Sequence, residues 1–262
     1  MSEPISYTNK SKMDVFEGID PAIKVRTKKM LMYLIIFAVI MIFAGLTSAY
    51  IVINAGKFWV HAEAPQQLWM SNGIIVLSSL TLIFALRSAK AGNSQTSLML
   101  LLVTFVLGLA FTFTQYQGWN DLASKGMGFT IRDETGIKVS SWNRIEGITA
   151  EYGVDYYVHK DGQKLILENG EFYMPDDQFR TSPVTYDVRR TSNMSSSFIA
   201  VLIVVHLIHL ALGLIYLLVL IFRTLKGRIN KDNTISLYAG GMYWHFLGIL
   251  WVYLFLFLFF IH

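Results

Sequence analysis

Residues 197–222 read SFIAVLIVVHLIHLALGLIYLLVLIF, a run without a single Asp, Glu, Lys or Arg whose only strongly polar side chains are His206 and His209. It is longer than the roughly 20 apolar residues that carry a helix across a hydrocarbon core about 30 Å thick. Working outward, four more uncharged runs of spanning length occupy residues 30–53, 68–86, 97–116 and 242–261. The expectation is an all-α integral membrane protein, a bundle of five transmembrane helices. Composition agrees, with 53% hydrophobic and only 15% charged residues, against roughly 25% charged in a soluble domain. The first run is too long for a secretory h-region and follows a polar stretch without a signal-like n-region, so it is expected to be retained.

The flanks of the runs set an expected orientation. Lys24, Arg26, Lys28 and Lys29 precede the first run, Arg87 and Lys90 join the second and third, and Arg223, Lys226, Arg228 and Lys231 join the fourth and fifth. These three flanks fall on one side, whereas the opposite short loop holds only Lys57. Positive flanks resist translocation, so the N-terminus is expected in the cytoplasm and the C-terminus outside. A pI near 9.1 is then explained by topology and by attraction to anionic lipid, and no nucleic-acid partner is implied. The expected division is a cytoplasmic tail over 1–29, three helices over 30–117, an outer segment over 118–196, and two helices over 197–262.

The segment 118–196 is expected to fold on the outer side as a small β-rich insertion. Its second half, YYVHKDGQKLILENGEFY (156–173), places Asp161-Gly162 and Asn169-Gly170 between strand-like runs, a strong hairpin signal. A β-meander is expected there, with Leu165 and Leu167 on one face and Ile166 and Glu168 on the other. Residues 128–142, GFTIRDETGIKVSSW, are similarly strand-like. The segment could serve as a docking surface for partner subunits or an electron donor, or as a cap without chemistry.

Polar groups inside the runs carry the functional question, because a polar side chain in hydrocarbon is costly unless paired. His206 and His209 lie three apart, on one helix face, and His245 sits in the fifth run. A haem or metal held by histidines from two helices would suit a quinone-reactive membrane anchor, yet His245 is expected to lie roughly 10 Å from the other two along the membrane normal. Interhelical hydrogen bonding of neutral imidazoles is the alternative. No carboxylate lies in any run and the chain has no cysteine, so there is no acidic relay for a proton-coupled carrier and no thiolate for copper, c-type haem or iron-sulfur clusters. Asn72 and Gln115, near outer ends, read as structural amides satisfied by interfacial water or a neighbouring helix. Small residues, Ala44, Gly45, Gly108, Gly213, Gly240 and Gly241, mark expected close helix approaches. Trp59, Trp69, Trp119, Tyr243 and Trp244 are expected at the membrane interfaces.

The run FIAVLIVVHLIHLALGLIYLLVLIFR (198–223), with two His three apart and Gly213 four residues on, resembles subunit III of the haem-copper respiratory oxidases. YWHFLGILWVYLFLFLFF (243–260) is similar to the last helix of that family through Tyr243, Trp244, His245, Phe246 and Trp251. The first run matches through Met41, Phe43, Gly45, Leu46, Ala49 and Tyr50, the second through Asn72, Ser78, Ser79 and Thr81, and the third through Gln115 and Trp119. Five helices correspond to the short form of the family; the long outer insertion is a departure. So are Val39, Gly118 and Gly248, each standing where the family carries a carboxylate, and proton uptake through that family Glu is not carried over. The resemblance implies an accessory subunit of a terminal oxidase that passes electrons from cytochrome c, or quinol, to oxygen with proton pumping. It implies no active site, metal or cofactor on this chain, haems and copper on partner subunits, and bound phospholipid. Partners would be catalytic subunit I and other oxidase subunits, with a cytochrome c domain or supercomplex partner near the insertion, in a bacterial inner membrane. His206, His209, His245 and Trp244 would form an interhelical polar seam, and Gly213, Tyr243, Gln115 and Asn72 would be structural, lipid or subunit contacts.

Overall fold

The computed structural model describes residues 21–127, 145, 148–231 and 233–260. Five long helices, α1 (Pro21–Asn54), α2 (Gln66–Lys90), α3 (Ser94–Ser124), α5 (Met194–Leu225) and α6 (Ile235–Phe260), are each long and apolar enough to cross a membrane. A short helix, α4 (Thr185–Arg190), and five strands, β1 (Trp59–Ala62), β2 (Tyr156–Lys160), β3 (Gln163–Lys164), β4 (Ile166–Glu168) and β5 (Glu171–Tyr173), lie between them. The helices outrun the apolar runs. The first begins at Pro21, so part of the expected tail is helical, and the third continues to Ser124. At about 1.5 Å per residue a helix of 31 residues is roughly 46 Å long, and its ends project beyond the hydrocarbon into water.

Helices α2 and α3 form an antiparallel hairpin through a tight connection. Gly92 takes φ +85°, a left-handed backbone that ends α2 at little cost, and the Asn93 side chain accepts a hydrogen bond from the Thr96 amide at 3.2 Å to open α3. The buried positions of α2, Leu68, Ser71, Ile75, Ser78, Leu82, Ala85 and Ala89, step by three and four in turn. In α3 the series Ser97, Leu101, Thr104, Gly108, Phe111, Gln115, Gly118 and Leu122 does the same. That is a 3.5-residue period, the geometry of left-handed coiled-coil packing. In α5 the buried residues Ile199, Ile203, His206, Leu210, Gly213, Leu217, Leu220 and Thr224 repeat it. Helix α6 packs against α1, α2 and α5, while α1 presents an apolar face that includes Phe37 and Met41, both more than half exposed.

The connection between α1 and α2 and the one between α3 and α5 fold together on one side of the bundle. β1, in the loop between α1 and α2, pairs antiparallel with β2 of the insertion, Trp59 opposite His159 and Ala62 opposite Tyr156. The Trp59 Nε1–H donates to the Tyr50 hydroxyl at 2.9 Å, which fixes the sheet to α1, and Lys125 lies 3.0 Å from both Asp121 and Asp155, which ties the end of α3 to the insertion. Both predicted hairpin turns form, with Asp161 and Asn169 at φ +50° and +53° followed by Gly162 and Gly170 at +77° and +82°. The expected single meander does not. β1-β2-β3 is one sheet and β4-β5 a second; they part after Leu165, whose amide makes the last bond in register with β2, donating to the Val158 carbonyl at 2.9 Å. The break ends the alternation: Leu165 is buried, whereas Leu167 is exposed. Residues 128–142 lie outside the described residues.

Three interfacial assignments are corrected as well. Trp59 is buried in the three-stranded sheet rather than girdling the membrane, because its indole completes the Tyr50, Phe198 and Phe257 cluster. Trp244 and Tyr243 are buried between helices. Trp69 is half exposed, leaning on Phe255 and Phe260.

His61 joins the sheet to α6: its Nε2 lies 3.1 Å from the Phe259 carbonyl, which can only accept. Burial pushes the imidazole below its ordinary range; the Phe259 carbonyl opposes this and neighbouring His159 adds to it. Between the lowered folded value and about 6.5 the unfolded chain binds more protons, so the stabilisation held above about pH 6.5 is lost as pH falls through that interval. Amide exchange of Val60 and Ala62, corrected for intrinsic rates, should accelerate from pH 7.5 to 5.5. His61→Gln should abolish the effect.

Candidate functional site

The centre of the bundle is built around Trp244. Its indole lies in a slot between glycines of two other helices: a Cβ added at Gly108 on α3 would stand 2.8 Å from Trp244 Cη2, and one added at Gly213 on α5 would stand 3.4 Å from Trp244 Cε3. The Nε1–H donates to Ser78 Oγ on α2 at 2.8 Å. One side chain of α6 therefore joins α2, α3 and α5, and the small residues allow it. Because lipid supplies little hydrophobic drive between helices, such close fitting and buried hydrogen bonds hold the bundle together. Gly240 also approaches α5 closely, at Tyr216 and Leu220, whereas Gly45 faces open space and Gly241 meets nothing nearer than 4.0 Å. Gly118, absent from the expected set of close approaches, packs on Leu68 of α2.

The three histidines do not form the expected seam with Trp244. His206 is buried among Phe43, Phe111 and Trp251, with ring centroids 6.5, 6.4 and 5.4 Å away, and neither ring nitrogen has a partner among the described residues. His209 also touches Phe43, at 5.9 Å, but its Nδ1 pairs with the Val205 carbonyl of its own helix at 2.7 Å. The Tyr243 hydroxyl donates to the His209 backbone carbonyl at 3.2 Å. His245 faces away, into a groove between α2 and α6. Trp251 sets His206 level with a point six residues along α6 from His245, about 9 Å, in keeping with the predicted offset. A haem ligated from two helices needs two of these histidines to face one space; the three face three settings. Among the described residues no group of three or more His, Cys, Asp or Glu comes together.

The amides pair inside the bundle, Gln115 with the neighbouring helix and Asn72 with its own. Gln115 is buried and donates through Nε2 to Ser71 Oγ on α2 at 2.8 Å, and Asn72 donates to the Leu68 carbonyl at 3.3 Å. Thr81 and Thr104, 2.8 Å apart, add a further link between α2 and α3. Ser71, Ser78 and Thr104 recur with the 3.5-residue period, the signal that marks them as bundle contacts.

Two of the clefts among the described residues lie on the lipid-facing surface. One, of about 390 Å³ between α1, α5 and α6, has an apolar floor of Leu31, Met32, Ile35 and Leu212, with Lys28 and Arg223 toward one end. Arg223 donates to Ser236 Oγ at 3.2 Å and so holds its charge over the cleft. The other, of about 630 Å³, is the groove that His245 faces.

A model of the family described as cytochrome c oxidase subunit III matches residues 188–262, the part that contains α5, α6 and the Trp244 slot residue. Cytochrome c oxidase subunit 3 of Alkalihalophilus pseudofirmus is 27% identical over 182 residues, covering 70% of this chain and 59% of the relative. The protein of that name from Bacillus subtilis is 26% identical over 189 residues, covering 72% and 80%. A probable quinol oxidase subunit 3 of Staphylococcus saprophyticus is 26% identical over 108 residues, covering 38% and 54%. The alignments thus span less than two thirds of the Alkalihalophilus and Staphylococcus proteins.

Proposed function

We propose that the chain belongs to the subunit III family of the haem-copper oxidases, a reading its similarity to that family supports, and that it serves a bacterial terminal oxidase as an accessory subunit without a redox centre. On this reading it packs beside the catalytic subunit, which holds the haems and copper, and stabilises it while electrons pass to oxygen and protons cross the membrane. The observation that carries the proposal is the bundle centre: Trp244, Gly108, Gly213 and Ser78 are joined by fit and hydrogen bonding, while His206 packs among aromatic rings, His209 pairs with its own helix and His245 turns to a separate groove. The N-terminus lies in the cytoplasm and the β-rich cap outside, where a cytochrome c domain would approach. Purification of the tagged chain from native membranes in mild detergent tests this. A haem-copper catalytic subunit should come with it, and isolation without one would count against the proposal.

Relatives bear the names of both cytochrome c and quinol oxidase subunits, so quinol is the second reading for the donor. Oxidation of each donor by the purified complex separates the two.

The cleft between α1, α5 and α6 holds a phospholipid. Its apolar depth suits an acyl chain, and Lys28 with Arg223 suits an anionic headgroup at the cytoplasmic face. Lys28→Gln combined with Arg223→Gln should lower the anionic phospholipid retained per chain by roughly one molecule in mass spectrometry of the purified complex. Unchanged retention would remove the assignment.

A further inference from the structure

The groove between α2 and α6 differs from the lipid cleft in where its polar groups lie. Ser78 and Trp244 form the inward hydrogen bond between these helices, and the next residue of each, Ser79 and His245, turns outward into the groove. Both are only partly exposed, and among the described residues neither has a hydrogen-bond partner. Ser79 is near the middle of α2 (Gln66–Lys90) and His245 within about one turn of the middle of α6 (Ile235–Phe260). Both therefore lie at hydrocarbon depth. There an unpaired hydroxyl or imidazole loses the hydrogen bonds water would give, and the hydrocarbon offers none in exchange.

Volume alone would admit an acyl chain, but an acyl chain has nothing to offer Ser79 and His245. Among the described residues no Lys or Arg lines the groove to hold a headgroup. Its length fits a helix. From His245 to Leu256 the floor runs about 16 Å, three helical turns. Gly248 keeps the floor low, since a Cβ there would stand 3.2 Å from Ile75 and 3.6 Å from Ser79 Oγ, and small residues are what close helix approach in lipid requires. The walls, Val76, Leu80, Ile249 and Leu256, are apolar and outward-facing.

We propose that this groove receives a transmembrane helix of another oxidase subunit, one that brings a hydroxyl or carboxamide side chain to Ser79 and His245. The inference rests on the oxidase reading above and adds the surface and the chemistry of the contact. A photo-crosslinking phenylalanine analogue in place of Val76, and separately of Ile249, in the full tagged chain in native membranes tests the surface. Both positions should give an adduct with a membrane-spanning segment of one haem-copper oxidase subunit. Adducts only with lipid, with quinone or with a second copy of this chain would overturn the proposal. So would adducts with that subunit from Val106 on α3 or Ile215 on α5 but not from the groove; the oxidase reading would survive that result, whereas it would fall if no haem-copper subunit co-purified. The hydrogen bond is tested apart from the fit. His245→Leu should weaken retention of the partner in a detergent titration by roughly 3- to 30-fold, the range of one interhelical hydrogen bond, and His245→Gln should restore most of it. Retention unchanged by His245→Leu would overturn the hydrogen-bond assignment.

Discussion

Trp244→Ala is expected to cost the bundle about 3–5 kcal/mol, the range for emptying a buried Trp site. The indole is 1% exposed and fills the space between Gly108 and Gly213, so truncation leaves a void that the glycines cannot fill. It also leaves Ser78 Oγ without the donor it now faces. Trp244→Phe separates the two contributions: it keeps most of the ring volume, loses the Nε1–H, and should cost about 1 kcal/mol, the net worth of an ordinary hydrogen bond. The check is the thermal midpoint for loss of the monodisperse species in detergent, which should fall in the order wild type, Phe, Ala. An Ala variant as stable as the Phe variant would mean that the slot is not the centre of the packing.

The second large effect comes from the other wall of the slot. In Gly108→Val the new Cβ would stand 2.8 Å from both Leu214 Cδ2 and Trp244 Cη2, closer than carbon atoms approach. Trp244 cannot swing aside without giving up Ser78, so α3 must move off α5 and α6, at a cost of about 3 kcal/mol. Gly45→Ala is the contrast. Its Cβ meets nothing within 4 Å, and Ala is a better helix former by roughly 0.5–1 kcal/mol, so that variant should be neutral or slightly more stable. Measured on the same detergent assay, equal effects at the two glycines would contradict the packing described.

These contrasts mark what was legible in the sequence. Five uncharged runs were enough to set the number of long helices, and Asp161-Gly162 and Asn169-Gly170 placed both hairpin turns because only certain residues accept positive φ. Which glycines meet a neighbour was not legible: Gly45 and Gly108 sit in equally apolar surroundings, and in a membrane helix every face is apolar, so hydrophobic periodicity marks no buried side. The period is carried instead by small and hydroxyl residues, Ser71 and Ser78 in α2, Ser97, Thr104, Gly108 and Gly118 in α3. Trp59 was misplaced for a different reason. β1 is four residues long and its partner β2 lies about a hundred residues later, a pairing no local pattern announces. His206, His209 and His245 were read together because they are the polar exceptions in their runs, yet rotation about two helix axes sends them to different neighbours.

On the proposed reading this bundle supports redox chemistry carried by other chains. The most direct test of that reading is the optical spectrum of the tagged protein purified twice, from membranes with the whole complex and from cells lacking the catalytic subunit. Haem absorption is expected in the first preparation and only protein absorption in the second. Stoichiometric haem bound to the chain purified without its catalytic partner would contradict the account.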